Sequence, residues 1–166
     1  MSLEAIRVGG FDMDGAIQNF LRREYGMAIG ERTAEEVKIQ IGSAHPSAVD
    51  AQAEVRGRDL MSGLPKNVIL TPREVRGAIE EQVAAIVASV ITALGAAPPE
   101  LGQDLIYQGI HLVGGGGMLA GLDVRLSEAT NLPVHLVNAP LECVVLGAGR
   151  CMESFDTLKS MFIGAR

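Results

Sequence analysis

Apolar positions along the chain fall into two rhythms. Ile6 and Val8 flank Arg7, an alternation that predicts a short strand closed by Gly9-Gly10. From Met13 the spacing turns helical. Met13, Ala16, Ile17, Phe20 and Leu21 form one stripe, with Asp12 or a neighbour capping its start and Gly26 stopping it. Asp12 and Asp14 both read as residues serving the helix dipole. Thr33-Ala34-Glu35-Glu36 has the form of a capping box, and predicts a short helix that buries Ala34, Val37 and Ile41 and ends at Gly42. Residues 43–53 have no period and read as a loop. Residues 54–60 and 66–71 read as a hairpin around a turn at 61–65. The first of its strands is polar on both faces, which places it at a sheet edge or in a solvated hairpin.

Thr71-Pro72-Arg73-Glu74 is the clearest helix start in the chain, with Thr as cap, Pro at the first helical position and Glu closing the box. Val75, Ile79, Val83, Ile86, Val87, Val90 and Leu94 then make a long stripe that Gly95 ends. Between these positions lie Ala84, Ala85, Ala88, Ile91 and Ala93. A helix this apolar on most sides predicts that Ile91 or its neighbours touch a second chain or a further part of the protein. Pro98-Pro99 opens a short helix to Gln108, with Leu101, Leu105 and Ile106 expected inward. Residues 109–113 read as a buried strand, Gly114 to Gly117 as a four-glycine turn, and Met118, Leu119, Leu122 and Leu126 as a helix. Residues 134–137 form a second strand. This is a βαβ unit, so the two strands should be parallel with a right-handed crossover. A helix carrying Leu141, Val144 and Val145 follows, with Gly147 and Gly149 within it. The fold class is therefore α/β, with a boundary near Thr71 between a mixed helix-and-hairpin part and the βαβ part.

Composition narrows the function classes. The 166 residues are 48% hydrophobic and 20% charged, enough for a sizeable core without covalent staples. A net charge of -6, no Trp, two Tyr and four Phe argue against nucleic acid as a partner, because phosphate binding wants a basic field and base stacking wants aromatics. Cys143 and Cys151 lie eight apart with no CxxC, so neither a disulfide framework nor a zinc site is indicated, and a reducing compartment fits best. The apolar run at 83–94 is too short for a membrane span and reads as a buried helix. Met1-Ser2-Leu3 reads as a leader added ahead of the domain.

Few residues carry candidate chemistry. The glycine run follows a strand and opens a helix, the place where α/β proteins hold phosphorylated ligands on free amides. Its spacing is neither a dinucleotide fingerprint nor a P-loop, and a plain strand-to-helix turn explains it equally well. Glu35 and Lys38 lie three apart, off the buried stripe of their helix, and by themselves read as a surface ion pair worth a few tenths of a kcal/mol. His111 and His135 fall where they could be neighbours on adjacent strands. No carboxylate or cysteine stands at ligand spacing around them, which argues against a metal site.

Taken together, several strings resemble one family, the bacterial actin homologues of the MreB type. They are Glu4 to Gly10, Met13-Asp14, the run from Ile29-Gly30-Glu31-Arg32 to Lys38, Val55 to Leu60 with Ser62-Gly63-Leu64-Pro65, Pro98-Pro99-Glu100-Leu101, the glycine block from Gly109 to Leu122, Leu132-Pro133-Val134 and Gly147-Ala148-Gly149. The resemblance covers nearly the whole chain. It implies an actin-like, ribonuclease H-like ATPase lobe, with a partial mixed sheet, flanking helices and a small α+β outer subdomain. Residues 1–8 would be an inner-subdomain strand and 9–71 the outer subdomain. Residues 72–149 would be the inner subdomain with the glycine-rich adenosine motif, and 150–166 a C-terminal helix and tail, the helix running to about 162.

The resemblance further implies ATP with Mg in the whole protein, held between two lobes. By the motif match, Gly114, Gly115 and Gly116 approach the nucleotide, Met118 sits against the base, and Glu35 and Lys38 face the adenosine. The family's phosphate loops and its water-positioning acid have no counterpart in these strings, so the chain by itself is not expected to hydrolyse ATP. Self-assembly into filaments, membrane-associated shape and wall-synthesis partners, and a cytoplasmic location with filaments at the membrane are the remaining expectations. The chain departs from the family's usual pattern at Phe11, where a charge is common, and at Gly15 and Gly117. Another member of the same ATPase group, a sugar kinase or an Hsp70-like chaperone lobe, is the competing expectation; a nucleotide-free structural remnant is a third.

Overall fold

The computed structural model describes residues 3–156 and Leu158. Met1-Ser2 of the expected leader, and the end of the terminal helix expected to reach about residue 162, lie outside them. Helix α1 spans Gly10–Tyr25, α2 Glu31–Ile41, α3 Pro72–Gly95, α4 Gly102–Gln108, α5 Gly114–Gly117, α6 Leu122–Thr130 and α7 Cys143–Glu153. Strand β1 is Met27–Ala28, β2 Ala53–Asp59, β3 Pro65–Leu70, β4 Ile110–Leu112 and β5 Val134–Leu136.

The amino-terminal part is built from α1 and α2 packed on a small antiparallel sheet. Gly9 caps α1, and the Asp12 carboxylate accepts the Gly9 N–H at 2.8 Å, so Asp12 does serve the helix start. Met13, Ile17 and Leu21 are buried as their spacing predicts, and Gly26 ends the helix at a φ of 58°. Helix α2 begins two residues before Thr33. Gly30 caps it through backbone alone, its carbonyl accepting the Ala34 N–H at 3.1 Å, so the capping box expected at Thr33 and Glu36 is not made. The buried trio Ala34, Val37 and Ile41 and the stop at Gly42 are as expected.

The sheet runs β1-β2-β3, all antiparallel. Strand β2 is therefore central, contrary to its polar sequence. The two-residue β1 pairs only with Arg58 and Asp59, and Ala53 and Val55 are the only β2 side chains that enter the core. Gly57 permits this crossing, because a Cβ there would stand 2.5 Å from the Ala28 carbonyl oxygen.

Helix α3 is the spine. The Thr71 hydroxyl accepts the Glu74 N–H, and the Glu74 carboxylate accepts the Thr71 N–H at 2.9 Å, completing the predicted box. Val75, Ile79, Val83 and Val87 form a buried stripe toward α1, α2 and α6. At about 2 kcal/mol per buried aliphatic side chain, the four contribute about 8 kcal/mol of transfer free energy. In length and mean hydropathy (1.5 over 18 residues) α3 would suffice to cross a membrane, and 17% of that window is buried in the fold. The buried stripe makes it the core helix of the lobe. It is not buried all round: Ala84 and Ala88 are exposed, and Ile91 is 48% exposed.

The carboxyl-terminal part is the predicted βαβ unit, with β4 and β5 parallel and α6 as the crossover. Several expectations fail here for one reason, which is that little packs against the unit beyond α6 and α3. Ile6 and Val8 form no strand, since no neighbouring strand lies beside them among the described residues. Strand β4 is half-buried, because α6 covers only one face of the two-stranded sheet. Leu101 and Ile106 point outward, 45% and 63% exposed, since α4 packs mainly on the Pro99–Leu101 turn before it. Val144, Val145 and Leu146 of α7 are exposed as well. The helix expected from Met118 starts instead at Leu122, after Gly121 breaks the backbone with a φ of 74°.

The two parts meet at a narrow seam. Ser43 and Ala120 form an isolated parallel bridge, and the Ala44 N–H donates to the Ala120 carbonyl at 2.8 Å. Gly121 lies so close to the chain that a Cβ would stand 2.8 Å from the His45 Cβ.

Candidate functional site

Strand β4 ends at Leu112, and the chain turns at Gly114, whose φ of 73° excludes most side chains. The Gly114 N–H donates to the Pro140 carbonyl at 2.8 Å, which ties this turn to the loop after β5. The Gly115 and Gly116 amides fall in the first turn of α5, where helix geometry supplies no acceptor four residues back. Above Gly114 and Gly116 a Cβ would meet open space, and above Gly115 only the Leu141 Cδ2 at 3.5 Å. Gly117, in contrast, faces inward: a Cβ there would crowd the Leu112 Cβ at 3.1 Å. Three glycines thus keep an open backbone surface at the carboxyl end of the sheet, and the fourth lets the turn pack on β4. Met118 follows, 51% exposed, with an apolar side chain free to lie against a planar group.

Glu35 and Lys38 do not pair with each other. Glu35 is exposed, and no described residue bonds its carboxylate. The Lys38 side chain is only 15% exposed and crosses to α1, where its Nζ lies 2.8 Å from Asp14 Oδ1 and 3.0 Å from Asp14 Oδ2. Nζ also donates to the Gly10 carbonyl at 3.1 Å. Lys38 is therefore half-buried rather than a solvated surface residue, and Asp14 is its buried counter-ion rather than a helix-dipole residue. The stripe of Met13, Ile17 and Leu21 carried the clue. Asp14 sits on that buried face, and a carboxylate there requires a cation.

The seam brings the two halves of the candidate site toward each other. Lys38 lies little more than one helical turn before Ser43, and Gly116 one turn before Ala120; Ser43 and Ala120 are bridged. The bridge and the Gly114–Pro140 bond were not foreseen, because both join residues far apart in sequence. A surface groove of about 570 Å³ lies elsewhere, between α1 and α3. Phe11 and Gly15 line it.

Two further polar clusters fix the scaffold. Tyr25, at the end of α1, donates its hydroxyl to Glu74 at the start of α3. Burial pushes the Glu74 carboxyl up, but hydrogen bonds from the Thr71 hydroxyl, Tyr25 and the Thr71 amide outweigh it and hold the group below the ordinary glutamate range. The same bond, with burial and the Glu74 charge, pushes the Tyr25 phenol up. At the hairpin tip Asp59 accepts the Ser62 amide at 2.8 Å and the Ser62 hydroxyl at 2.9 Å, with Lys66 at 3.2 Å and the Met61 amide at 3.1 Å. These donors, the Ser62 amide first, hold its carboxyl well below the usual carboxylate range.

The MreB/Mbl protein family model matches residues 1–160. The cell shape-determining protein MreB of Escherichia coli K12 is 43% identical over 152 residues, 92% of this chain and 44% of that protein. The cell shape-determining protein Mbl of Bacillus subtilis 168 is 40% identical over 154 residues, 93% of this chain and 46% of that protein. The chain thus spans a little under half the length of these curated relatives. MreB 5 of Spiroplasma citri, solved bound to AMPPNP, matches with a TM-score of 0.87 at 32% identity over 93% of this chain and 46% of that chain. The MamK double helical filament matches with a TM-score of 0.65 at 25% identity over 80% and 40%. The strings from Gly30 to Lys38 and around the glycine turn therefore stand on an actin-like lobe, and the chain belongs to the MreB/Mbl family, whose curated members carry the name cell shape-determining protein.

Proposed function

We propose that this chain is the adenosine-side lobe of a filament-forming bacterial actin that binds ATP and takes part in determining cell shape and organising wall synthesis. The observation that carries the reading is the glycine turn. It leaves an open backbone surface with first-turn amides at the carboxyl end of β4, in a chain whose relative from Spiroplasma citri was solved with AMPPNP. The residues fit such a ligand. Gly114 and Gly116 leave room for ribose or phosphate, Met118 offers an apolar face for the base, and the free Glu35 carboxylate can accept hydrogen bonds from hydroxyl or amino groups. Lys38 has its contacts taken up by Asp14 and Gly10, so its role is positioning: it holds α2, and with it Glu35, against α1. Bound ATP, with Mg, would supply the assembly state of the whole protein. Self-association finds support in the double helical filament of MamK, a structural relative. Membrane-associated shape and wall-synthesis proteins as partners, and filaments on the cytoplasmic face of the membrane, belong to the same proposal.

Titration of the purified protein with ATP, followed by amide NMR, tests it. Shifts at Gly114 to Met118 and at Glu35, with a dissociation constant of about 1 mM or weaker for this lobe (about 4 kcal/mol), are expected. Gly115→Val should abolish them while leaving the rest of the spectrum in place, because only Leu141 lies near the new side chain. If 10-fold higher ATP moves none of these signals, or if the valine variant responds like the parent, the turn is only a turn and the reading falls.

A further inference from the structure

Strands β4 and β5 pair in parallel with His111 directly opposite His135. Adjacent strands lie about 4.8 Å apart, and side chains on one face stand side by side. The two imidazole rings have centroids 5.7 Å apart and planes tilted by 55°. Both residues are exposed on the face of the sheet away from α6, and no described residue bonds either ring. Imidazole nitrogens left without a partner can ligate a borderline divalent cation such as Ni²⁺, Cu²⁺ or Zn²⁺.

Geometry decides whether one ion can use both rings. A metal–nitrogen bond is about 2.1 Å, and the ring centre lies about 1.1 Å beyond the nitrogen, so each centre stands about 3.2 Å from the ion. The two centres are then about 4.5 Å apart at the cis angle of a six-coordinate ion such as Ni²⁺ and about 5.2 Å apart at a tetrahedral angle. The observed 5.7 Å closes to either by rotation of the two exposed side chains. The strands supply the rest, because the ladder fixes the two Cα positions before any ligand arrives. The sequence already placed His111 and His135 on strands that could be neighbours, and the register brings them level. Among the described residues no group of three or more His, Cys, Asp or Glu converges, so the protein contributes two ligands and water the others.

We infer that His111 and His135 form a bidentate, solvent-open binding site for a transition-metal dication on the outer face of the β4–β5 sheet. The site is separate from the glycine turn and does not depend on nucleotide.

Ni²⁺ alone is the probe. Calorimetric titration of the purified protein at pH 7.5 should show one site, and either His111→Asn or His135→Asn should weaken it about tenfold or more by removing the chelate. The double variant should lose the site altogether. Both side chains are exposed, so the variants should keep the parent's circular dichroism. A second measurement needs no variant: paramagnetic Ni²⁺ should broaden the ring signals of His111 and His135 at sub-stoichiometric metal and spare His45. Single variants that bind like the parent, or broadening that falls first on His45 or on the cysteines, would overturn the assignment.

Discussion

Lys38→Ala should destabilise the lobe more than a change at an exposed lysine does. The Asp14 side chain is only 9% exposed and faces the Lys38 ammonium at 2.8 Å and 3.0 Å. Removing the ammonium leaves a carboxylate almost out of water with no counter-charge, and leaves the Gly10 carbonyl without its donor. Breaking a fully buried pair in this way costs 3–5 kcal/mol. The residual access of water to both partners puts this pair at the low end, about 3 kcal/mol. For a chain of this length that corresponds to a fall in melting temperature of about 9 °C. Urea unfolding with matched m-values measures it directly. The double variant Asp14→Leu/Lys38→Met is the control. With both charges gone and the volume kept, it should recover most of the loss, because the desolvation cost disappears with the pair. A loss below about 1 kcal/mol for Lys38→Ala, or a double variant no better than the single one, would refute the argument and return Lys38 to the surface.

Three other perturbations have defined outcomes. Gly121→Ala should cost about 2 kcal/mol in urea unfolding, because its φ of 74° and the His45 Cβ at 2.8 Å both oppose a side chain; unchanged stability would mean the seam opens freely. Stability should fall on both sides of neutrality. Glu74 and Asp59 have folded pKa values below their ordinary ones, so their contribution is present above about pH 4 and is lost as pH drops through the folded values. The Tyr25 phenol is raised, so its contribution is present below about pH 10 and is lost as pH rises through the folded value; Glu74→Gln should flatten the alkaline arm and leave only the Asp59 part of the acid arm in a pH series of urea midpoints. Ile91→Arg should leave the fold intact, since Ile91 is 48% exposed, while reducing sedimentable polymer; polymer at the parent's level would make the alanine-rich side of α3 a plain solvated surface.

What the sequence showed was governed by local rules. The box at Thr71 and Glu74, the stop at Gly26, the stripes of α1, α2 and α3 and the parallel pairing of β4 with β5 all follow from periodicity and caps within a few residues. The misplacements involve partners distant in sequence. Strand β2 became central because two residues, Met27 and Ala28, pair with it, too few to leave an alternation. Leu101, Ile106 and Val113 were expected inside because they are apolar, yet a side chain is buried only where another element comes to cover it. At the candidate site the glycines were legible by type and position. Lys38 was misjudged because helical spacing shows which face of α2 a residue takes, and not that Asp14 of α1 waits beside that face.

The seam between the two parts has a consequence for local opening. Ser43 and Ala44 are fully buried, and the Ala44 amide is held by one hydrogen bond to the Ala120 carbonyl. That proton can exchange with solvent only when the loop after α2 lifts from the start of α6, an event smaller than global unfolding. Its exchange rate is therefore an internal gauge of how often the two parts of the lobe separate. Anything that draws Glu35 and the glycine turn together should slow that one amide before it slows the rest.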